Sequence, residues 1–328
     1  MRAAFLTKTG QFPSEIRSCD KPVPTKDQLL VRVHAASLNP VDLLIAGGHL
    51  PPAAPDLPAI PGLDFAGIVE AVGEAVTGFA VGDAVYGCAG GVKGRPGTFA
   101  DYIAPEAALV AHKPRTLSMR EAAAMPLVGI TAWDGLVDRA ALRADETVLI
   151  HGVTGGVSHA AIQIARSRGA RVFATASSPE KAETARALGA VPIAYRTVPV
   201  ADYVRDHTGG AGFDVVYDTV GGDVFEQSAQ ATRLYGRLVS CAAWQGHDLV
   251  PVLGHSLTLI GIFMLLPMLT GQGTARHGQI LAALAALADT GALRPLLAER
   301  RFSLNEVGDA YALQAGGTAV GKIVIDIA

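Results

Sequence analysis

Thr147-Val148-Leu149-Ile150-His151 is an apolar run that enters a glycine turn, Gly152-Val153-Thr154-Gly155-Gly156. Val157-Ser158-His159-Ala160-Ala161 leaves that turn with the composition of a helix. Glycines placed this way do chemistry through the backbone. Their N–H groups are bare, and the following helix directs its positive end at whatever binds there, which suits a pyrophosphate. The spacing departs from the usual G-x-G-x-x-G, because Ser158 stands where a third glycine would let helix and strand pack closely. A glycine turn alone is a weak signal, since tight turns occur in any α/β domain. The context gives it weight. A strand over Glu146–His151, a helix over Val157–Arg168 ending at Gly169 and a strand over Arg171–Ala176 make one complete βαβ unit of about 30 residues. A dinucleotide is therefore the first ligand to consider, with Gly155, Gly156 and Val157 offering N–H groups to it. Ser158 predicts slightly wider packing.

A second group of chemistry-bearing residues lies in Ser37-Leu38-Asn39-Pro40-Val41-Asp42 and Gly47-Gly48-His49. Asn-Pro reads as a turn and Asp42 as a cap on a following helix. His49 has two open readings. Its imidazolium could donate a proton to a reacting oxygen near neutral pH, or it is a histidine in a proline-rich surface loop. Tyr86 and Cys88 are weaker alternatives for such a role, and His112, His151 and His159 read as structural.

The elements that must position these residues fall into three zones, expected at residues 1–122, 123–262 and 263–328. The first has short strand-like segments at Leu29–Ala35, Ala66–Val72 and Asp83–Tyr86, separated by Pro- and Gly-rich turns. The second alternates strands at 148–151, 172–176, 215–218, 238–242 and 257–260 with helices, which predicts a parallel sheet covered on both faces. The third has a helix near Gln279–Asp289 and ends in the strand-like Lys322–Asp326. Leu257–Leu269 contains Gly261 and Pro267, is too short to span a bilayer, and reads as a buried strand running into a loop.

Of the 328 residues, 50% are hydrophobic and 17% charged, with a net charge of −3. That is the composition of a globular chain with room for two domains. It leaves no broad basic field for nucleic acid. No targeting pattern opens the chain. The three cysteines, Cys19, Cys88 and Cys241, form neither a zinc motif nor a disulfide framework, which suits a reducing cytoplasm.

Taken in order, several strings carry a resemblance. They are Ser37–Asp42, Pro61-Gly62-Leu63-Asp64-Phe65-Ala66-Gly67, Val81-Gly82-Asp83, Gly97-Thr98-Phe99-Ala100-Asp101-Tyr102, Gly129-Ile130-Thr131-Ala132-Trp133, the glycine turn, Asp218-Thr219-Val220-Gly221-Gly222 and Gly321-Lys322-Ile323-Val324. Through them the chain resembles, nearly end to end, the medium-chain dehydrogenase/reductase superfamily and its zinc-independent quinone oxidoreductase (zeta-crystallin-like) branch. The resemblance implies an α/β fold: a chaperonin-10-like β-rich catalytic domain closed by C-terminal residues, and a doubly wound Rossmann domain. Zinc-dependent relatives carry a cysteine where this chain has Leu38 or Asn39, and Gly-His-Glu where it has Gly62-Leu63-Asp64. No metal is therefore expected, and hydride transfer to an activated acceptor, a quinone or conjugated carbonyl, replaces alcohol oxidation.

The resemblance further implies that Asn39 contacts nicotinamide or substrate, that Asp42 orders the Asn39 loop and that the Thr131 hydroxyl, at the opening of a helix, reaches the carboxamide. It also implies cofactor contacts at Val220, Ala242, Phe263 and Lys322. His49 stands where related reductases often have a tyrosine. NAD-selective folds end the second strand in an acid, whereas this one ends Ala176-Ser177-Ser178. With Lys181 and Tyr195 nearby, the expectation is NADPH, its 2′-phosphate held by Ser177, Ser178, Lys181 and Tyr195. A homodimer through edge strands near Leu238–Ile260 is also implied. Two alternatives stay open: an enoyl-thioester or 2-alkenal reductase, and a low-turnover NADPH-binding redox sensor or structural protein.

Overall fold

The computed structural model describes residues 1–328. The chain divides into two compact units, residues 1–130 with 265–328, and residues 131–264. The expected joins were 122/123 and 262/263.

The first unit begins with an antiparallel pair, β1 (Arg2–Phe5) and β2 (Glu15–Ser18). It continues through β3 (Leu29–Ser37), helix α1 (Pro40–Ala46), β4 (Asp64–Val72), β5 (Ala84–Cys88), β6 (Tyr102–Ile103), β7 (Val110–His112) and helix α2 (Met119–Ala123), and helix α3 (Pro126–Trp133) begins in it and ends in the second unit. Strands β3, β4, β5 and β7 pair antiparallel in that order, and β6 adds to β3. Proline at the first position of α1 and of α3 starts both helices, because its fixed φ suits a site where no N–H is needed.

The second unit contributes β8 (Thr147–Ile150), α4 (Gly156–Ser167), β9 (Arg171–Thr175), α5 (Pro179–Ala187), β10 (Val191–Ile193), α6 (Val200–Thr208), β11 (Phe213–Asp218), α7 (Asp223–Ala231), β12 (Thr232–Ser240), α8 (Val250–Gly254) and β13 (Thr258–Gly261). Its six strands are all parallel, in the order β10-β9-β8-β11-β12-β13. That is the dinucleotide-binding order, in which the chain reverses its direction of travel between β8 and β11. Val148, Leu149 and Ile150 are fully buried, as expected of a central parallel strand. Leu149, Phe173, Val216 and Leu238 from four neighbouring strands pack with Tyr203 and Phe225 from the helices.

Strand β13 corrects one expectation. It is the outer strand of the sheet, and Thr258, Leu259 and Gly261 are exposed. The run after it forms helix α9 (Leu266–Thr270) in place of a loop. An apolar run does not reveal whether a strand has one neighbour or two.

The chain then returns to the first unit with α10 (Thr274–Asp289), β14 (Phe302–Ser303), α11 (Val307–Ala315) and β15 (Val324–Asp326). Strand β15 pairs antiparallel with β3 and completes a seven-stranded sheet.

Candidate active site

In the first unit the sheet register sets a row of polar residues. Ser37 lies opposite Asp64 and Val324, and Asp64 lies opposite Cys88. Lys322 precedes β15 and so enters the same row. Asp64 Oδ2 accepts from Ser37 Oγ at 3.0 Å and from Asn39 Nδ2 at 2.9 Å. Its Oδ1 accepts from the Leu127 N–H at 2.9 Å, in the first turn of α3, where a carboxylate meets the positive end of a helix. Lys322 Nζ lies 3.7 Å from Asp64 Oδ2, donates to Leu38 O at 2.8 Å and also donates to Asn39 Oδ1. Both ends of the Asn39 amide are thus engaged, which fixes its orientation.

Asp42 accepts the Asn39 N–H at 2.8 Å, one half of a capping box on α1. Ser37, Asn39, Asp42, Asp64 and Lys322 are all buried. Burial pushes Asp42 and Asp64 up and Lys322 down, toward their neutral forms, while the attraction of Lys322 for the two carboxylates opposes all three shifts.

In the second unit the glycine turn follows β8 and a second turn, Thr219–Gly222, follows β11. Both stand at carboxyl ends of strands beside the reversal point, where open α/β sheets bind ligands. Gly152 has φ +75°, a conformation that L side chains rarely adopt. Gly155 opens α4 with no side-chain cap, leaving first-turn N–H groups for an outside acceptor. Ser158 Oγ donates to His151 O at 2.7 Å and lies 2.8 Å from Thr219 Oγ1, which itself bonds His151 O at 2.8 Å. The serine that breaks the glycine pattern therefore ties the two turns together. Asp218 shapes the second turn, accepting from the Val220 and Gly221 N–H groups at 2.9 and 2.8 Å and from Ser240 Oγ at 2.8 Å. At Gly221, with φ +75°, a Cβ would sit 2.4 Å from Ala242 O, so the backbone there runs bare against its neighbour.

Ser178 caps α5, its Oγ accepting the Lys181 N–H at 3.3 Å, so the cap and Lys181 share one helical turn. Ser177, Ser178 and Lys181 are half-buried, and Tyr195 is exposed. Val220 is exposed, and Ala242 and Phe263 are half-buried.

Several expected placements change. Thr131 lies near the end of α3, because Pro126 starts that helix earlier, and its carbonyl accepts the Tyr217 hydroxyl at 2.8 Å. Lys322 is enclosed by protein acceptors, so its contacts run to Asn39 and Asp64. His49 is exposed just past α1, with its imidazole against Gly47. Tyr86 is sealed, donating to Leu281 O at 2.6 Å, and burial pushes both it and the Cys88 thiol up. Neither is placed to give up a proton. Asp64 and Ser37 belong to the buried row although sequence reasoning gave them no site role. The available signal was two polar residues inside otherwise apolar strands. No group of three or more His, Cys, Asp or Glu side chains is arranged to hold a metal ion.

The two glycine turns, the uncapped α4 N-terminus and the strand order together fit a dinucleotide. A family model described as zinc-binding dehydrogenase matches residues 156–274, and an alcohol dehydrogenase GroES-like domain matches residues 25–115. The crystal structure of an alcohol dehydrogenase superfamily protein from Novosphingobium aromaticivorans is 45% identical, with 100% of both chains covered and a TM-score of 0.96. The quinone oxidoreductase from Coxiella burnetii is 30% identical over 100% of this chain and 99% of its own, with a TM-score of 0.82. The chain belongs to the medium-chain dehydrogenase/reductase superfamily.

Within that superfamily it falls in the quinone oxidoreductase-like branch, and it is an oxidoreductase of a family whose members generally bind NAD(P). Its two units are a GroES-like domain and a Rossmann-like domain. A spectinabilin polyketide synthase system protein of Streptomyces orinoci is 36% identical over 299 residues, 91% of this chain and 13% of that protein. A mycocerosic acid synthase-like polyketide synthase of Mycolicibacterium smegmatis is 33% identical over 95% of this chain. The chain spans only about 15% of the length of these curated relatives. No helix is long and apolar enough to cross a membrane.

Proposed function

We propose that the chain is a zinc-independent, NADPH-dependent reductase that delivers hydride to a quinone or conjugated carbonyl. The observation that carries this reading is the ion pair of Lys322 with Asp64 beside Asn39. In the Leu63-Asp64 pair the first side chain is apolar, and the carboxylate of the second already has a cation and three hydrogen-bond donors. This donor set does not fit zinc, and an acceptor that needs no Lewis acid suits it better. A conjugated acceptor spreads the developing charge over its own π-system.

NADPH, when bound, supplies the hydride. The chain's part is to bind, orient and exclude water. Gly156 and Val157 would offer N–H groups to the pyrophosphate, whereas the Gly155 N–H, expected to join them, already donates to Gly152 O at 2.9 Å within the turn. Ser177, Ser178, Lys181 and Tyr195 would hold the 2′-phosphate, which no carboxylate at the end of β9 would repel. Asn39, held rigid by Lys322 and Asp64 and with Asp42 ordering its loop, would position nicotinamide or substrate; the Thr131 hydroxyl would serve the carboxamide. Val220, Ala242 and Phe263 would line the cofactor. His49 or water would protonate the product. Catalysis on this reading is mostly positioning. We further propose a cytoplasmic homodimer formed through the exposed β13 edge.

A second reading, reduction of an enoyl thioester, is supported by the matches to polyketide synthases. A panel of quinones, enones and enoyl thioesters, followed by NADPH oxidation and repeated with NADH, separates the two. The quinone reading predicts turnover of quinones and enones with NADPH favoured. Turnover of enoyl thioesters alone overturns it, and equal efficiency with NADH overturns the NADPH assignment.

A further inference from the structure

Two close approaches lie along the carboxyl edge of the second unit's sheet. A Cβ on Gly152 would lie 3.4 Å from Val220 Cγ2, and one on Gly221 would meet Ala242. Two residues past Ala242 is Trp244. Its indole N–H donates to Cys241 O at 3.3 Å, and its ring stands edge-on to Phe263 with centroids 5.2 Å apart and planes at 82°. These two contacts hold the indole at its rim and leave it 56% exposed. An exposed aromatic held at its rim by two contacts can offer a ring face to a ligand. It follows β12 at the carboxyl end of the sheet, where Rossmann sheets receive ligands.

We infer that Trp244 is a specificity-determining residue that stacks planar, electron-poor acceptors, and so selects ring-shaped quinones over acyclic enones. The inference rests on the proposed hydride transfer to conjugated acceptors. The physical basis is the negative face of the indole π-system, which matches an electron-deficient ring and gains far less from a short acyclic enone, whose π-surface is much smaller and carries one carbonyl.

The test uses the whole chain as wild type, Trp244→Ala and Trp244→Phe. Binding of 1,4-naphthoquinone is measured by calorimetry with NADP⁺ present, so that no hydride is available, and KM is measured with NADPH for 1,4-naphthoquinone and for 3-penten-2-one. Stacking of this kind is worth about three- to tenfold in affinity. Trp244→Ala is expected to raise the Kd and KM for naphthoquinone by that factor, with less than twofold change in KM for 3-penten-2-one and in NADPH affinity. Trp244→Phe should recover most of the loss. Equal effects on both acceptors, or an effect confined to NADPH binding or to oligomeric state, would overturn the inference. If wild type reduces neither acceptor, the functional reading fails while the naphthoquinone binding difference still decides the role of Trp244.

Discussion

Replacing Lys322 by methionine probes the buried row most directly. Methionine keeps most of the side-chain volume, so the cavity contribution is small. What disappears is a cation 3.7 Å from Asp64 Oδ2 and the donor to Leu38 O and Asn39 Oδ1. Breaking one partner out of a buried pair costs about 3–5 kcal/mol. A second route to the number gives a ceiling on the charge part. Asp64 can escape burial as an unpaired carboxylate by taking up a proton. At pH 7, against an unfolded value of about 3.9, that costs about 4 kcal/mol. The sign follows. A carboxyl whose folded pKa is raised binds more protons in the native state, so its stability contribution is lost as pH rises above the unfolded value. Burial already raises Asp64 in the parent, so relative to it the variant should lose stability with pH by at most about 1.4 kcal/mol per unit between pH 5 and pH 7. Urea unfolding followed by circular dichroism at pH 5, 6, 7 and 8 measures the slope. The double variant Lys322→Met/Asp64→Asn should abolish it and recover part of the stability. A penalty that is flat across this range, or below about 1 kcal/mol at pH 7, would refute the reasoning that Lys322 serves as the counter-charge of Asp64.

Further outcomes follow from single residues. Lys181→Ala should raise KM for NADPH about three- to tenfold, the worth of one charge-assisted hydrogen bond at a half-exposed site, and leave KM for NADH unchanged in steady-state assays. Ser158→Ala removes the hydroxyl that bridges His151 O and Thr219, and thermal unfolding should show a loss of about 1 kcal/mol. His277 is buried, its pKa pushed down to about 4 by desolvation. The unfolded chain therefore takes up a proton below about pH 6.5 that the folded chain refuses. Stability should fall by about 3 kcal/mol between pH 6.5 and pH 4, and His277→Phe should flatten that part of the pH profile in denaturant titrations.

Periodicity and turn chemistry made much of the fold legible. The apolar run 147–150 is the buried central strand, and Gly155 and Gly156 do open a helix. Neither signal distinguishes a central strand from an edge, so β13 reads as buried in the sequence and is an exposed edge in the fold. Ser158 was legible as a departure from the glycine pattern, but its effect was not. Its hydroxyl does more than widen the packing, because Thr219 from a distant turn lies within reach of it.

The sequence by itself determined the local devices: the strand–turn–helix with its uncapped N-terminus, the missing acid after β9 and the order of motifs along the chain. Each depends on residues within a few positions of one another, where backbone conformation is set by glycine, proline and caps. Only the tertiary structure decided what those devices face. Lys322 meets Asn39 across 283 positions of sequence, and Asp64 meets Leu127 across 63. Such pairings arise from sheet register and crossovers, so no local spacing encodes them. In the sequence Lys322 was one more cofactor contact, and in the fold it is the buried counter-charge that fixes Asn39.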